Sequence, residues 1–370
     1  MKILLIGEYS NVHATLADGL RALGHQVTVA SNGDFWKNYP RDIDLARKPG
    51  KIGGMLLMAK ILTLLPSWRN YDVVQLIGPM FVELKAEHNF RLYKYLRRHN
   101  KKVFLGVHGN DHFVIDACCN KKVLRYSDFN IGDQMRDSDD IRQWKKLWLH
   151  SLREKMNRYM AATADGITPG LYEYYACYQP VFPDKTCFIP YPIKVLQSPQ
   201  PEASKEPPGS RPLRVFIGIS KGRSAYKGTD IMLKAAQHVA AKYPEKMKLQ
   251  IAEGIPFAQY EKMMDGSDVQ LDQLYSYTPS MNSLLAMSKG IVVVGGGEPE
   301  NYAILDETEL RPIVNVEPTY ESVCQELEQL IMHPECIPTM KQQSIAYIKK
   351  HHDYLKVAMQ YISFWNRRFH

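Results

Sequence analysis

A basic stretch in the second half of the chain has the residue types that bind a diphosphate. Residues 220–230 read SKGRSAYKGTD, and Lys221, Gly222, Arg223 and Lys227 follow one another closely before a helical pattern. The start of a helix favours an anion, arginine adds a bidentate fork, and lysine adds a point charge. The order differs from the P-loop pattern G-x-x-x-x-G-K-[ST]. We predict that these four residues bind phosphate groups, with a solvated basic loop as the alternative.

A second stretch combines bare backbone with carboxylates. Residues 292–302 read VVVGGGEPENY, and three successive glycines remove every side chain from a piece of backbone. Such backbone is useful where a ligand approaches closely, although a structural turn is the alternative. The glycine amides and the polar side chains could then bind sugar or ribose hydroxyls. The donor-binding candidates here are Gly295, Gly296, Gly297, Glu300 and Asn301, with Glu298 as a catalytic candidate.

The helix before that stretch offers another anion site. Its sequence, residues 280–289, is SMNSLLAMSK, in which Ser280 or Asn282 would cap the helix and leave backbone amides free. We therefore add Asn282 to the donor-binding candidates.

A histidine follows a buried-strand pattern in the first half of the chain. Residues 107–112 read VHGNDH, so that an imidazole and a bare glycine stand at the end of a strand. His108 could hydrogen-bond a sugar hydroxyl or take part in acid–base chemistry. It could also be a loop histidine satisfied by backbone. A metal site of His108, Asp111 and His112 is a weaker alternative, because no fourth ligand is visible.

Two other motifs have ordinary structural interpretations. The D-x-D of Asp137 and Asp139 lies in a polar run where Asp140 is a natural helix cap. The basic run 91–102 falls at a predicted helix end, where cations suit the helix dipole. We therefore predict neither a metal site nor a nucleic-acid site at these places.

Strand and helix patterns alternate along the whole chain, which predicts parallel sheets built from βα units. The predicted strands are 2–6, 26–31, 72–77, 102–107, 165–168, 186–189, 213–219, 248–252, 290–296 and 312–316. The predicted helices include 12–24, 83–99, 140–162, 228–243, 280–289, 318–332, 336–351 and 353–368. The proline-rich run 196–212 interrupts the alternation and is typical of a linker.

This pattern predicts an α/β protein of two doubly wound, Rossmann-like domains that face each other across a cleft. The expected divisions are an N-terminal domain at 1–195, the linker at 196–212, a C-terminal domain at 213–350 and a terminal helix at 351–370. Ligands of such sheets bind beyond the carboxyl ends of the strands. The loop after the first strand lacks G-x-G-x-x-G, which argues against a nicotinamide-dependent dehydrogenase.

Composition sets further limits. The 370 residues are 45% hydrophobic and 23% charged, with a net charge of +8, which favours an anionic partner. Six cysteines without C-x-x-C spacing suggest a reduced protein. The N-terminus has the pattern of a strand and not of a signal peptide, and the apolar stretch 52–65 is too short to span a bilayer. We therefore expect a cytoplasmic protein.

A Met- and Leu-rich helix at 51–65 offers a route to a membrane surface. Lys48, Lys51 and Lys60 surround it and could meet an anionic bilayer that carries a lipid-linked acceptor. A buried core helix is the alternative.

Four motifs in order make the chain similar to a known family. These are H-G-x-D after a strand, G-R-x(3)-K-G, A-M-x-x-G and G-G-x-P-E, and together they resemble the GT-B glycosyltransferases, most closely glycosyltransferase family 4. The resemblance spans essentially the whole chain. It implies that Arg223 and Lys227 bind the donor diphosphate and that His108 lies near the donor sugar. It also implies a terminal helix that crosses back to the N-terminal domain.

The resemblance places the acceptor near the first strand. It assigns the acceptor side to Tyr9, Ser10 and Asn11, with Asp111 nearby. One feature departs from the family, because its usual glutamate pair is replaced by Tyr277 and Leu285. The nearest carboxylates are then those of the 292–302 stretch.

The expected function is sugar transfer from a nucleotide-diphosphate sugar to a hydroxyl of a glycan or lipid-linked acceptor. The resemblance implies a hexosyltransferase of the retaining type that acts in surface polysaccharide or glycoconjugate synthesis. No metal or other cofactor and no nucleic-acid partner are expected. The alternatives are a nucleotide-sugar epimerase of GT-B fold and a non-catalytic nucleotide-sugar or nucleic-acid binder.

Overall fold

A computed structural model describes residues 1–195, 209–220 and 222–367. Most of the expected linker and Lys221 lie outside these described residues. The strands are β1 Lys2–Ile6, β2 Gln26–Ser31, β3 Ile43–Asp44, β4 Val73–Leu76, β5 Lys102–Val107, β6 Asn130–Ile131, β7 Gln134–Met135, β8 Gly166–Pro169, β9 Leu213–Ile219, β10 Met247–Glu253, β11 Val269–Leu271, β12 Val292–Gly295 and β13 Ile313–Asn315.

The helices account for about half of the remaining described chain. They are α1 Val12–Ala22, α2 Gly50–Leu64, α3 Ala86–His99, α4 His112–Asp116, α5 Asp139–Trp148, α6 Leu152–Thr163, α7 Tyr172–Tyr178, α8 Ser224–Lys227, α9 Thr229–Lys242, α10 Phe257–Met264, α11 Met281–Ser288, α12 Pro299–Ala303, α13 Tyr320–Met332, α14 Ile337–Tyr347 and α15 Tyr354–Asn366. Short 3-10 and π-helical turns extend several of them.

The chain divides into two compact units. The first unit contains Met1–Val123, Gln143–Pro192 and the segment from Tyr354 onward. Its six-stranded sheet has the order β3-β2-β1-β4-β5-β8, and all of its strands pair in parallel. The order reverses between β1 and β4, so the carboxyl ends of these central strands form the edge at which ligands bind in such sheets.

Buried aliphatic strands and the last helix form the core of the first unit. In β1 the residues from Ile3 to Ile6 are fully buried, because a strand covered on both faces needs a continuous apolar run. Helix α15 packs on α1 so closely that a Cβ on Gly19 would lie 2.5 Å from the Tyr354 carbonyl oxygen. The Trp365 indole also donates a hydrogen bond of 3.3 Å to the Gln75 side chain. The terminal helix is therefore part of this core.

The second unit contains Leu124–Arg142 and Ile193–Asp353. Its parallel sheet has the order β10-β9-β11-β12-β13, and its short β6–β7 hairpin is antiparallel. The predicted fold class is confirmed in that both units are α/β structures built on parallel sheets.

The segment 124–142, expected within an N-terminal domain of residues 1–195, packs instead with the second unit. Phe129 is 1% exposed and meets the ring of Tyr226 at a centroid distance of 6.1 Å. Buried Asn130 closes the segment on itself, because its amide donates to the carbonyl oxygens of Leu124 and Gly132. The segment is thus held together by its own hydrogen bonds and packs as part of the second unit.

Two local predictions are wrong. Residues 186–189 form no strand, since they contribute only an isolated bridge between Ile167 and Thr186. The predicted helix 140–162 is broken into α5 and α6, because His150 adopts a positive φ of 54° and Ser151 caps the second helix.

Candidate functional site

The basic loop, residues 220–228, begins at the carboxyl end of β9. Gly222 has φ 74° and open space around its Cα, so the loop turns there without a side chain. Arg223 follows on the surface, and no salt bridge joins it to an acidic side chain within the described part of the chain. Gly228, at φ 71°, separates α8 from α9. The loop therefore presents an arginine that is available to an anionic ligand.

The segment 124–142 supports this basic loop from one side. The Arg136 guanidinium donates to the carbonyl oxygens of Tyr226 at 3.0 Å and Ala225 at 2.6 Å. It also lies 3.6 Å from the centroid of the Tyr275 ring. Burial raises the pKa of Asp128, while its hydrogen bond with Tyr226 and the charge of Lys227 oppose that shift. No local sequence pattern indicates this support, because Arg136 lies about ninety positions before the residues that it contacts.

The carboxylate loop, residues 295–301, follows β12 and already has partners. The Glu298 carboxylate, 7% exposed, accepts hydrogen bonds from Tyr126 Oη at 2.6 Å, Asn315 Nδ2 at 3.0 Å and Arg125 Nη2 at 2.6 Å. Arg125 also forms a salt bridge with Glu300. Both carboxylates thus hold the segment 124–142 against this loop, and Glu298 has little capacity left for a ligand.

Packing explains two of the three successive glycines. A Cβ on Gly296 would lie 2.6 Å from the Ser276 carbonyl oxygen, and one on Gly297 would lie 2.8 Å from Ile313 Cγ2. The Gly297 amide also donates to Asn315 Oδ1 at 3.0 Å. Neither position needs a ligand to account for its missing side chain. Asn301, buried at 2% exposure, pairs with the Tyr347 hydroxyl at 3.1 Å.

A buried aspartate that sequence reasoning missed lies between these loops. Asp272 follows β11, is 6% exposed, and accepts hydrogen bonds from the Ser280 hydroxyl at 3.0 and 3.1 Å. A Cβ on Gly295 would lie 3.4 Å from its Cβ. Asn282, the second residue of α11, donates to the Tyr260 hydroxyl at 2.5 Å. The only signal in the sequence is an aspartate after the short stretch Val269-Gln270-Leu271.

His108 lies at the carboxyl end of β5 in the first unit. Its ring is held between two glycines, since a Cβ on Gly106 would lie 2.8 Å from Nε2 and one on Gly170 2.9 Å from Nδ1. The side chain is buried, and neither ring nitrogen has a hydrogen-bond partner among the residues that the structure describes. Burial, followed by the nearby His13, lowers the pKa of His108 to about 3. The imidazole is therefore neutral at pH 7, where it can exchange hydrogen bonds with a hydroxyl but cannot act as a cation.

Two further polar groups that sequence reasoning missed follow β1. The Glu8 carboxylate accepts from the amides of His13 at 3.2 Å and Ala14 at 2.8 Å, and burial raises its pKa to about 8. His13 Nδ1 donates to the Gly7 carbonyl oxygen at 2.8 Å, so Nε2 keeps its lone pair. Burial lowers the pKa of His13 to about 4. This edge of the first unit therefore collects uncharged, buried polar groups.

The expected acceptor-side residues have different environments. Tyr9 is 36% exposed, whereas Ser10 and Asn11 form a turn with φ 51° and 71°. Asp111 is buried as the cap of α4, where it accepts from the Val114 amide at 3.1 Å and the Tyr178 hydroxyl at 2.5 Å. Burial raises its pKa to about 7. Of this set, Tyr9 is the side chain most open to a ligand.

The alternative sites are also accounted for. Asp137 and Asp139 form exposed salt bridges with Arg142. Across residues 1–195, 209–220 and 222–367, no group of three or more His, Cys, Asp or Glu is placed to hold a metal ion. In the same part of the chain, no helix has the length and apolar character needed to cross a membrane.

No protein-family model and no curated protein matches this chain. Solved structures, by contrast, do match it. Sucrose-phosphate synthase from Thermosynechococcus elongatus has a TM-score of 0.61 at 13% identity, over 99% of this chain and 98% of that chain. HepE from Anabaena, in complex with UDP and glucose, has a TM-score of 0.60 at 12% identity, over 98% of each chain.

A proposed UDP-N-acetylglucosamine 2-epimerase from Listeria monocytogenes has a TM-score of 0.55 at 11% identity, over 98% of this chain and 94% of that chain. These likenesses extend over nearly the full length of all the chains concerned. At such low identities they show a shared fold, which is the two-domain α/β architecture of the GT-B proteins.

Proposed function

We propose that the protein is a glycosyltransferase that takes a sugar from a nucleotide-diphosphate sugar and transfers it to a hydroxyl. The observation that carries this proposal is the basic loop, which presents exposed Arg223 at the end of β9 with Lys227 four residues later. Cleavage of the bond between the sugar and the diphosphate leaves an electron pair on a phosphate oxygen. Fixed cations beside that oxygen stabilise the charge as it develops.

Other residues would hold the sugar and the acceptor. His108 is neutral, and within the described chain its ring nitrogens make no hydrogen bond, which suits a hydrogen bond with a sugar hydroxyl. Tyr9 is the exposed acceptor-side candidate. Glu298 is better suited to hold the loop than to act on substrate, because three donors already occupy its carboxylate. Asp272, buried between the loops, is then the acidic group that we add to the donor side.

The choice of donor and acceptor follows from the solved structures and from the family resemblance. HepE was crystallised with UDP and glucose and with UDP-glucose, which makes a UDP-hexose the first donor to test. The acceptor would be a glycan or a lipid-linked sugar in surface polysaccharide or glycoconjugate synthesis on the cytoplasmic side. Transfer with retention of configuration, without a metal, belongs to the same proposal.

The test is release of UDP from a panel of UDP-sugars, with and without added sugar acceptors. We expect one donor to raise the thermal unfolding midpoint and to be turned over, because a ligand of the native state stabilises it. Arg223→Ala should abolish most turnover, whereas Arg91→Ala, which removes an exposed arginine on α3, should not. Equal turnover in wild type and Arg223→Ala would refute the assignment.

A second candidate is a nucleotide-sugar epimerase, which the likeness to the Listeria monocytogenes structure favours. Its product would be an isomeric UDP-sugar formed without an acceptor. Product analysis of UDP-N-acetylglucosamine by NMR separates the two functions. Ligand-induced stabilisation without any product would instead identify a nucleotide-sugar binding protein.

A further inference from the structure

Helix α2 in the first unit exposes a row of large apolar side chains. The exposed fractions are 73% for Ile52, 71% for Met55, 57% for Leu56 and 57% for Leu62. Large apolar side chains gathered on one helix face mark an interaction surface, whereas scattered ones need no explanation. We call these four residues the apolar ridge.

The opposite face fixes the helix to the first unit. Leu57 and Ile61 are each 3% exposed, and Trp68, in the turn after the helix, is fully buried. Gly53 lets the preceding chain pass close by, since a Cβ there would lie 1.8 Å from the Lys48 carbonyl oxygen. Arg47 ties the start of the helix down by donating to the Gly50 carbonyl oxygen at 3.0 Å. The apolar ridge is therefore presented by an anchored helix.

Lysines stand on both flanks of the apolar ridge. With about 100° of rotation per residue, Lys60 lies roughly 80° to one side of Ile52 and Lys51 roughly 100° to the other. Both lysines are exposed, and the helix sequence GKIGGMLLMAKILTL contains no acidic residue. An apolar ridge with one lysine on each flank suits a helix that lies in the plane of an anionic membrane surface, where the lysines meet the headgroups.

We propose that α2 docks the protein on an anionic lipid surface, with the apolar ridge in the acyl boundary and Lys51 and Lys60 among the headgroups. The charge pattern favours lipid over a second copy of the chain. A symmetric contact between two α2 helices would bring lysines together without an acidic partner on either helix. The net charge of +8 adds long-range attraction to the same surface.

The position of α2 connects this surface with the acceptor side. The helix begins six residues after β3 ends, at the same sheet edge as the loop that carries Tyr9. Arg47 donates to the Glu83 carbonyl oxygen at 3.2 Å, and the Glu83 carboxylate contributes to the electrostatic environment of Tyr9. If the proposed glycosyl transfer is correct, docking would bring the acceptor loop to lipid-linked hydroxyls. That consequence rests on the proposed function, whereas lipid binding does not.

The experiment is flotation of the full chain with vesicles of phosphatidylcholine alone or with about 30% phosphatidylglycerol, which supplies a negative surface potential. We expect the protein to float with the anionic vesicles at low salt and to be released as salt screens the lysines. The double variant Ile52→Asn/Leu56→Asn and the double variant Lys51→Glu/Lys60→Glu should each lower binding at least about tenfold. The matched control is Met332→Asn/Met359→Asn, which changes two exposed methionines elsewhere and should bind as wild type.

Folding and association are checked on the same samples. The altered side chains are exposed, so circular dichroism and the unfolding midpoint should match wild type. No flotation of wild type, or equal flotation of wild type and both α2 variants, would overturn the proposal. So would a wild-type dimer in sedimentation that becomes a monomer in Ile52→Asn/Leu56→Asn, because the ridge would then contact a second copy. None of these outcomes depends on UDP release, which tests the proposed function separately.

Discussion

The basic loop and the carboxylate loop of the second unit both follow strands of one parallel sheet, yet they hold their charges in opposite ways. In the basic loop, Arg223 is exposed and forms no salt bridge with an acidic side chain in the described chain. In the carboxylate loop, Glu298 is buried and Glu300 is paired with Arg125. Charge in a post-strand loop therefore has two uses, and only the partners of each group tell them apart.

From this difference we propose ligand binding for the basic loop and a supporting role for the carboxylate loop. A buried carboxylate with three donors gains nothing from a further polar ligand, and leaving it unpaired would be costly. An exposed guanidinium loses little hydration until a phosphate replaces its water, so its charge is available for binding. Variants in the two loops should therefore separate activity from stability.

The largest effect is expected for Arg223→Ala. Removing the cation beside a developing phosphate charge should lower turnover of the donor by about 10²- to 10³-fold. The unfolding free energy should change by less than about 0.5 kcal/mol, because the side chain is exposed. Steady-state UDP release and urea unfolding on the same preparation measure the two quantities. A large loss of stability with unchanged turnover would reverse the roles of the two loops.

The positions of most main strands along the chain could be predicted from sequence, because continuous apolar runs such as KILLI and VVV are typical of strands that are covered on both faces. Short strands escaped prediction. β11, Val269–Leu271, has three residues, too few to show a period, and its position in the sheet depends on pairing with β9 and β12. Its loss from the prediction also hid Asp272, which is placed by the end of that strand.

The candidate loops were found from sequence, but the partners of their charged side chains were not. Arg125 and Glu298 are 173 residues apart, and no local pattern links them. The segment 124–142 carries ordinary turn residues, and its packing in the second unit depends on tertiary contacts such as Phe129 with Tyr226. A row of glycines likewise looks the same whether a ligand or the protein's own backbone approaches it.

The next largest effect is expected for Gly296→Ala, which tests whether close packing explains the glycines of the carboxylate loop. The new Cβ would lie 2.6 Å from the Ser276 carbonyl oxygen, so backbone must shift, and we expect a loss of about 1–3 kcal/mol in unfolding free energy. Urea unfolding followed by circular dichroism measures it. Gly24→Ala tests the cost of a left-handed glycine alone, because its φ is 83° and nothing lies near its Cα. Normal stability with lost activity in Gly296→Ala would instead indicate that Gly296 contributes to ligand binding.

A smaller effect is expected for Arg125→Ala. The change removes one of three donors from the buried Glu298 carboxylate, and we expect a loss of about 1–2 kcal/mol, moderated by the 57% exposure of the arginine side chain. Arg125→Lys should recover part of it by keeping the charge. Arg142→Ala is the matched control, because it removes only exposed salt bridges to Asp137 and Asp139. Equal unfolding free energies for the alanine variants at 125 and 142 would contradict the supporting role of Arg125.

The smallest effect is expected for Glu300→Gln, and its sign depends on pH. Burial acts to raise the pKa of Glu300, but the hydrogen bond and charge of Arg125 outweigh it and leave that pKa below its usual range. A lowered folded-state pKa gives stability that is present above the unfolded value of about 4.3 and is lost as the pH falls through the folded value. At pH 7 the variant should therefore be less stable than wild type by under about 1 kcal/mol, as for a surface ion pair. Urea titrations at several pH values should show the two curves converging as the pH falls below the unfolded-state pKa and the wild-type carboxylate takes up its proton. If the gap persists unchanged on acidification, the Glu300 charge does not stabilise the fold through Arg125, and Glu298 alone holds the segment 124–142 in place.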